Sequence, residues 1–397
     1  MTLRGTSSGV RRRSPILLLG AITALGSLAV HMFIPAMPRA AAALGVAPAV
    51  MQLTLTIYLA GIGAGQIISG PLSDRFGRRP VLLGGIALFT LGSTICWVAG
   101  SIGPLLGGRL IQALGASAGV VVGRSMAGDA GEQHGSRDMA ALTAIVLLSP
   151  MLAPVFGSLV LRLAGWRAIF AALTLFAGLC GLLVLWRLPE TLDRSQHGDH
   201  TLLVGWARIV TKPVFLRNLV LGTSLTGGLY IFLTASPFLL VESYGTDPRH
   251  LGSYYGLIAL GAGCGALMSS RLARRLPART LMRAGTSLAV LGSSGFLLTA
   301  ALGMHQASAL LVTMVIFSIG GGLAIPNAMV AALAASPARV GTAVSAYGAL
   351  QMLGNALATS MIASASPHDP VVVAAAITAF SILAAILASM REKGEMI

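Results

Sequence analysis

Long apolar runs alternate with short polar segments along almost the whole chain. A helix that crosses the hydrocarbon core of a bilayer needs about 20 mostly apolar residues, and twelve runs have roughly that length or more. They cover residues 15–37, 47–72, 81–100, 103–128, 139–163, 167–188, 215–241, 250–272, 280–302, 306–335, 340–364 and 370–390. The pattern predicts an all-α membrane protein with twelve transmembrane helices.

A polar stretch at residues 189–213 separates the first six runs from the last six. The charged segment Ser73–Pro80 follows the second run, and a similar segment, Ser269–Pro277, follows the eighth. Two parallel repeats of six spans explain this matching position. The predicted organisation is an N-terminal tail (1–14), a six-helix bundle (15–188), a linker (189–213), a second, pseudo-symmetric six-helix bundle (214–390) and a C-terminal tail (391–397).

The positive charges predict how the bundle is oriented. Most of the 27 lysine and arginine residues fall in the two tails and in the loops on the same side as the tails. The opposite loops hold only Arg39, Arg162, Arg167 and Arg249. Because cytoplasmic loops carry an excess of Lys and Arg, both termini are expected in the cytoplasm.

Composition excludes several function classes. Only 10% of the residues are charged, against about 25% in soluble domains, so the lipid bilayer is the expected surroundings. The net charge of +15 is spread over many loops, and no nucleic-acid partner is expected. The three cysteines lie within apolar runs and the seven histidines are scattered, which predicts neither a metal site nor a cofactor. The two lysines lie outside any phosphate-binding glycine loop, so we expect no enzyme and no ATP hydrolysis.

The segment from Gly70 to Pro80 has the order G-P-L-S-D-R-F-G-R-R-P, with glycines and prolines that suit a tight turn between helices. This order resembles the signature loop between the second and third helices of major facilitator superfamily transporters. The run from Gln52 to Pro80 is similar to drug exporters of the Bcr/CflA type, which include chloramphenicol and florfenicol exporters. The resemblance implies a bacterial inner-membrane protein and a conformational switch in which Asp74 caps the start of the eleventh span. The implied switch residues are Asp74, Arg75, Gly77, Arg78, Arg79 and Gly341.

Two further spans carry motifs. Arg109 and Gln112 match the R-x-x-Q-x-x-G motif of the fourth helix of the superfamily. An arginine in a span costs free energy unless it is paired, so it is a functional candidate, with snorkelling toward the outer face as the alternative. In the fifth span, Pro150, Pro154 and Gly157 are similar to the antiporter signature of exporters, although Ser149, Ala153 and Ser158 replace its usual glycines.

His31 lies in the first span, where Bcr/CflA-type exporters usually have an aspartate that carries protons. No other Asp or Glu lies deep inside a predicted span, and an imidazole titrates near physiological pH. The hypothesis is that His31 carries the coupling proton. Two alternatives stay open, a hydrogen bond to the substrate and a structural histidine.

A central cavity is expected where the inward faces of the two bundles meet. Aromatic rings with a few amide groups suit a small amphipathic molecule, and the lack of a carboxylate favours a neutral or anionic one. The candidates are Phe33, Tyr58, Gln112, Tyr230, Phe232, Phe238, Tyr254, Tyr255, Asn327, Tyr347, Gln351 and Asn355.

These features predict a monomeric, proton-coupled efflux transporter for multiple drugs or amphipathic small molecules, working by alternating access. A proton-coupled metabolite uptake permease with the same fold is the first alternative. A non-transporting membrane sensor is the second, although the linker and tails are short for a soluble domain.

Overall fold

A computed structural model describes residues 16–128, 132–192, 206, 208–334, 340–365 and 369–390, with the side chains of 128, 132–140, 340, 341 and 365 excepted. The regular structure in these residues is helical throughout. The N-terminal half contains α1 (Ile16–His31), α2 (Met37–Leu44), α3 (Pro48–Phe76), α4 (Arg78–Val98), α5 (Ile102–Gly128), α6 (Glu132–Ala164) and α7 (Trp166–Arg187). The C-terminal half contains α8 (Pro213–Phe238), α9 (Leu251–Leu272), α10 (Ala278–Ala301), α11 (Ala307–Ala334), α12 (Val340–Ala365) and α13 (Pro370–Ser389).

The first span is interrupted where the sequence predicts one continuous run. A 3₁₀ turn at Ile34–Ala36 separates α1 from α2, and the three segments together extend over Ile16–Leu44. Pro35 explains the interruption, because it has no N–H to donate to the carbonyl of His31 one turn earlier. The interruption places His31 at the very end of α1.

Within the described part of the chain, eleven segments are long and apolar enough to cross a membrane. The eleventh predicted span, residues 340–364, corresponds to α12, which has 26 residues and therefore a length of about 39 Å. It is long enough to cross a bilayer but less apolar than the others, because it carries Tyr347, Gln351, Asn355 and Thr359.

The two halves repeat the same packing pattern. In the first, α5 packs against α1, α3 and α4, while α7 packs against α4. In the second, α11 packs against α8, α9 and α10, while α13 packs against α10. Equivalent helices meet at glycines in the two halves. Between α4 and α5, a Cβ added to Gly92 would collide with the backbone of Gln112, and between α10 and α11, one added to Gly292 would collide with that of Phe317. The repeat is thus present in the packing of the helices as well as in the charged turns.

Two helix pairs join the halves. α3 packs against α12, and α6 packs against α9. These pairs are related by the same repeat, since α3 and α9 hold equivalent places in their halves, as do α6 and α12. The space between the four helices is where a molecule could lie in contact with both halves.

Candidate functional site

The charged turn is shorter than the sequence predicts. We expected a loop over Gly70–Pro80, but α3 continues to Phe76 and α4 begins at Arg78, so that only Gly77 leaves the helical conformation. Gly77 has a φ of +105°, which side chains other than hydrogen rarely tolerate. Pro71 is accommodated inside α3. The turn is therefore a single glycine between two helix ends.

Asp74 and Arg78 face each other across this turn. Arg78 Nη1 lies 2.5 Å from Asp74 Oδ1 and donates to Ser73 Oγ at 2.6 Å. Arg78 is buried, whereas the Asp74 side chain is 38% exposed. Arg75 is exposed on the last turn of α3, with its guanidinium over the Phe76 ring at 5.2 Å. Gly341 lies in the first turn of α12, but its surroundings fall outside the described side chains, so the expected Asp74 latch on α12 stays a prediction.

Glu190 holds the other side of the turn, and sequence reasoning missed it. Its carboxylate accepts hydrogen bonds from the backbone N–H groups of Arg78 at 3.0 Å and Arg79 at 3.1 Å, the first two residues of α4. Arg79 in turn donates from its guanidinium to the carbonyl of Leu185 in α7 at 2.7 Å. A carboxylate at a helix N-terminus satisfies free N–H groups and complements the helix dipole. Glu190 thus ties the segment after α7 to the start of α4.

Arg109 is fully enclosed, with 1% of its surface exposed. It donates from Nη1 to the carbonyl of Ala29 at 3.0 Å and to Gln112 Oε1 at 2.7 Å. Its guanidinium lies 4.0 Å from the centre of the Tyr58 ring and 5.6 Å from that of Phe33. The side chain therefore points into the N-terminal half. The alternative, snorkelling to a membrane face, does not occur.

Gln112 extends this network by donating to Ser93 Oγ at 2.7 Å. The described part of the chain places no carboxylate within ion-pair distance of Arg109. Its positive charge is stabilised by carbonyl and amide oxygens and by aromatic faces, an arrangement that is strong when it is shielded from water. We call Arg109, Gln112, Tyr58 and Phe33 the arginine box.

A cavity of about 290 Å³ lies between the halves. Its walls come from α1, the 3₁₀ turn and α6 on one side and from α8, α9, α11 and α12 on the other. Most of the lining is apolar, and none of the described lining residues is Asp, Glu, Lys or Arg. The polar groups in the wall are His31, Thr226, Tyr230, Tyr255 and Ser318. The volume is near the lower end of the range for small-molecule sites, about 300–1,000 Å³.

His31 is held in the cavity wall by its own helix. Its Nδ1 lies 2.8 Å from the carbonyl oxygen of Ser27 and 3.2 Å from Ser27 Oγ. A carbonyl oxygen only accepts, so Nδ1 carries the hydrogen and donates it. Nε2 is then the ring atom whose protonation can change while this bond is kept.

The structure brings some predicted residues to the cavity and places others elsewhere. His31, Tyr230, Tyr255, Pro150 and Pro154 line it. The other aromatic and amide candidates are mostly buried away from it. Phe33 and Tyr58 belong to the arginine box, Phe232 packs against Tyr255, and Phe238 and Tyr254 lie in the main core. Tyr347 packs against Phe215, Asn327 bonds to Ser269, and Gln351 and Asn355 lie on α12. Sequence reasoning did not name Thr226 and Ser318, because a lone hydroxyl in an apolar span gives no signal.

The antiporter-like motif of α6 lies against both α1 and α9. A Cβ on Gly157 would collide with the backbone of Met32, beside the interruption of the first span. A Cβ on Gly252 of α9 would lie 2.8 Å from the carbonyl oxygen of Pro154. The small residues of this motif therefore allow α6 to approach helices of both halves closely.

The halves are in contact at the end of the bundle opposite Asp74. Thr56 of α3 and Thr359 of α12 share a hydrogen bond of 2.9 Å between their hydroxyl oxygens. Thr56 precedes Asp74 by 18 residues on α3, or about 27 Å along the helix. α3 and α12 are therefore in direct contact at this end of the bundle.

The sequence profile of the Major Facilitator Superfamily matches residues 19–359. The chain belongs to the major facilitator superfamily. This confirms the resemblance carried by the charged turn and the predicted fold of two six-helix bundles.

Curated relatives within the superfamily match most of the chain. A chloramphenicol resistance protein of Pseudomonas aeruginosa is 31% identical over 84% of this chain and 79% of its own length. The multidrug resistance protein MdtL of Escherichia coli O157:H7 is 30% identical over 85% of each chain. A bicyclomycin resistance protein homolog of Haemophilus influenzae is 28% identical over 88% of each. These relatives are resistance proteins, as the sequence resemblance implies.

Solved structures of the superfamily share the fold. A D-xylose-proton symporter has a TM-score of 0.75 at 14% identity, over 94% of this chain and 96% of its own. The human organic anion transporter MFSD10 has a TM-score of 0.64 at 19% identity, over 94% and 97%. At such identities the similarity concerns the architecture of the two halves.

Proposed function

We propose that this protein is a proton-coupled exporter of small amphipathic compounds, which works by alternating access in a bacterial plasma membrane. The observation that carries the proposal is the cavity whose walls come from both halves of a membrane-spanning bundle. A molecule in that cavity contacts both halves, so a change in their relative orientation can expose it to either face. The relatives are named for resistance to drugs, and export of a drug out of the cell would provide such resistance.

Alternating access needs two bodies and contacts that can break. The bodies are the six-span halves, residues 15–188 and 214–390, joined by the linker. At the end where Thr56 meets Thr359, α3 and α12 share one hydroxyl pair within a longer packed contact between the halves. At the opposite end, the Asp74–Arg78 pair and the Glu190 cap hold the charged turn as one unit. That unit is the element that meets or leaves the start of α12 as the halves move.

The substrate class follows from the wall of the cavity. An apolar surface with hydroxyl and imidazole groups favours a compound with an aromatic or aliphatic body and a few hydrogen-bonding groups. Because no described lining residue is a carboxylate, a permanent cation would lack a counter-charge there. Uncharged or anionic compounds are therefore the preferred substrates.

His31 is the group that couples transport to protons. It is an ionisable side chain in the cavity wall, and Nε2 can gain or lose a proton while Nδ1 remains bonded to Ser27. A protonated His31 facing the outside would release its proton to the cytoplasm after the halves reorient, and substrate would move in the opposite direction.

The test is expression in a bacterial host that lacks its own drug pumps. Resistance and accumulation are measured for a panel that contains chloramphenicol, florfenicol and permanently cationic dyes, with and without a protonophore. We expect lowered accumulation of the phenicols and its loss when the protonophore is added. Export that persists after the gradient collapses contradicts proton coupling, and no change for any compound contradicts drug export.

His31→Ala separates coupling from binding. In proteoliposomes, the variant should still exchange internal for external chloramphenicol but should no longer concentrate it in response to an imposed pH gradient. Phe156→Ala on the outer surface of α6, 54% exposed, is the control that should leave both activities unchanged. Undiminished gradient-driven transport by His31→Ala would remove this residue as the proton carrier.

A further inference from the structure

Polar side chains face each other between α8 and α12. Tyr347, Gln351 and Asn355 follow one another at intervals of four residues and so lie on one face of α12. Thr223 and Thr226 lie on α8, which packs against α12. A Cβ on Gly354 would contact Thr223, which shows how closely the two helices approach. We call these five residues the polar seam.

The polar seam does not satisfy its own hydrogen-bonding groups. Thr226 donates from Oγ1 to Asn355 Oδ1 at 2.9 Å. Among the described residues, no partner exists for Asn355 Nδ2, Gln351 Nε2, the Tyr347 hydroxyl or Thr223 Oγ1, although these atoms are buried. Asn355 and Tyr347 are almost completely enclosed, with 0% and 1% of their surfaces exposed.

Burying an unpaired polar group costs free energy, so several such groups on facing helices call for an explanation. Two of these groups are amide N–H₂ groups, which only donate, and the other two are hydroxyls, which can donate or accept. The amide groups therefore require a hydrogen-bond acceptor, which the hydroxyls can also bind as donors. The seam itself contains no Lys, Arg or His, and an anion buried without a counter-charge would be strongly disfavoured. An uncharged acceptor fits these donors better than a charged one.

The polar seam borders the cavity at the end formed by Thr226 and Asn355. Thr226 belongs to both, because it lines the cavity and bonds to Asn355. Met352 also lines the cavity and lies on α12 three residues before Asn355, on a neighbouring part of the helix surface. Elsewhere the α8 wall of the cavity is formed by Leu225, Leu229, Tyr230 and Leu233. The seam is therefore where a polar group of a mostly apolar occupant would find donors.

We propose that the polar seam is a recognition subsite, which binds an uncharged acceptor group of the exported compound, such as a carbonyl, nitro or sulfonyl oxygen. The apolar body of the compound lies in the cavity. This inference rests on the proposed export function and assigns its substrate class. It predicts that the C-terminal half selects compounds by hydrogen bonds, while the cavity wall accepts a range of apolar shapes.

Binding of radiolabelled chloramphenicol to the purified full-length protein tests the subsite. Chloramphenicol is uncharged and carries nitro and carbonyl acceptors. Thr226→Val, Asn355→Leu and Tyr347→Phe each remove one polar group of the seam, and binding should weaken about tenfold, the effect of a lost buried hydrogen bond. Thr378→Val is the matched control, because among the described residues that hydroxyl bonds only to the Ala374 carbonyl of its own helix, α13.

Thermal unfolding of the same variants separates recognition from folding. Tyr347→Phe removes a hydroxyl with no described partner, so the free protein should be no less stable than wild type. Weakened binding with an unchanged unfolding temperature supports a subsite. If all three seam variants bind chloramphenicol like wild type, or if wild type does not bind it at all, the proposal is wrong.

Transport assays with a permanent cation show whether only the subsite proposal is wrong or the proposed export function is wrong as well. Export of tetraphenylphosphonium by wild type and by the seam variants alike, without phenicol binding, overturns the subsite and leaves export standing. Seam-dependent binding of chloramphenicol without transport of any compound supports the subsite and overturns export.

Discussion

Arg109 shows how one charged residue can be kept inside an apolar bundle. Its guanidinium is planar, so it can stack on Tyr58 while Nη1 donates to Ala29 and Gln112. Ala29 belongs to the last turn of α1, two residues before His31. The arginine box therefore fixes the end of α1 that carries the ionisable group of the cavity wall.

Arg109→Lys keeps the charge but loses the planar fork and much of the stacking. We expect a protein that unfolds at a lower temperature and transports at least about tenfold more slowly, since the lost interactions are buried. Arg162→Lys, at an exposed position of α6, is the matched control and should behave like wild type. Equal transport by the two variants would mean that a positive charge alone is sufficient at position 109.

At the scale of elements, the ends of α3, α4 and α7 meet at the charged turn. Glu190 supplies two acceptors to the start of α4, whereas Asp369 supplies one to the start of α13, where Asp369 Oδ1 accepts from the N–H of Val371 at 2.8 Å. Both carboxylates cap a helix, but only Glu190 touches the charged turn.

Glu190→Ala should lower the free energy of unfolding by about 1–2 kcal/mol and should also slow transport, because the start of α4 loses its cap. Asp369→Ala should cost about 1 kcal/mol and leave transport unchanged. Thermal unfolding in detergent and transport in vesicles measure the two effects. Equal effects of the two substitutions on transport would show that Glu190 only stabilises a helix end.

Gly77 and Gly165 provide a second matched pair. Both have positive φ, +105° and +79°, in conformations that suit glycine. A Cβ at Gly77 would lie 2.6 Å from Glu190 Oε2, whereas one at Gly165 would meet nothing within 4 Å. Gly165→Ala should cost about 1–3 kcal/mol of backbone strain, and Gly77→Ala should cost more and impair transport as well. Unfolding temperatures that fall equally would show that Glu190 moves aside without consequence.

At the scale of the molecule, the sequence was sufficient for the spans and their repeat, because apolar length and charged turns are local signals. The sequence was not sufficient to predict that Glu190 caps α4, because Glu190 contacts Arg78 from 112 residues away. It also predicted Tyr58 and Phe33 for the cavity, whereas they surround Arg109. The packing of α1 and α3 against α5 determines which face of each helix meets Arg109, and an apolar span gives little sign of that face.

A disulfide between α3 and α12 would hold the two halves together. The hydroxyl oxygens of Thr56 and Thr359 are 2.9 Å apart, so Thr56→Cys with Thr359→Cys should form a disulfide on oxidation. Cys264, the one exposed cysteine among the described residues, is first replaced by serine. We expect oxidation to stop transport and reduction to restore it. Undiminished transport by the cross-linked protein would show that the α3–α12 contact does not open.

The most direct test of proton-coupled export is uptake of radiolabelled chloramphenicol into inside-out membrane vesicles under an imposed pH gradient. We predict accumulation when the lumen is acidic, loss of accumulation when a protonophore is added, and no accumulation by the oxidised Thr56→Cys/Thr359→Cys protein. Accumulation that requires ATP, or that persists in the presence of both the protonophore and the cross-link, would contradict the proposal. The proposal is that the two halves alternate around the cavity and that a proton gradient drives this change.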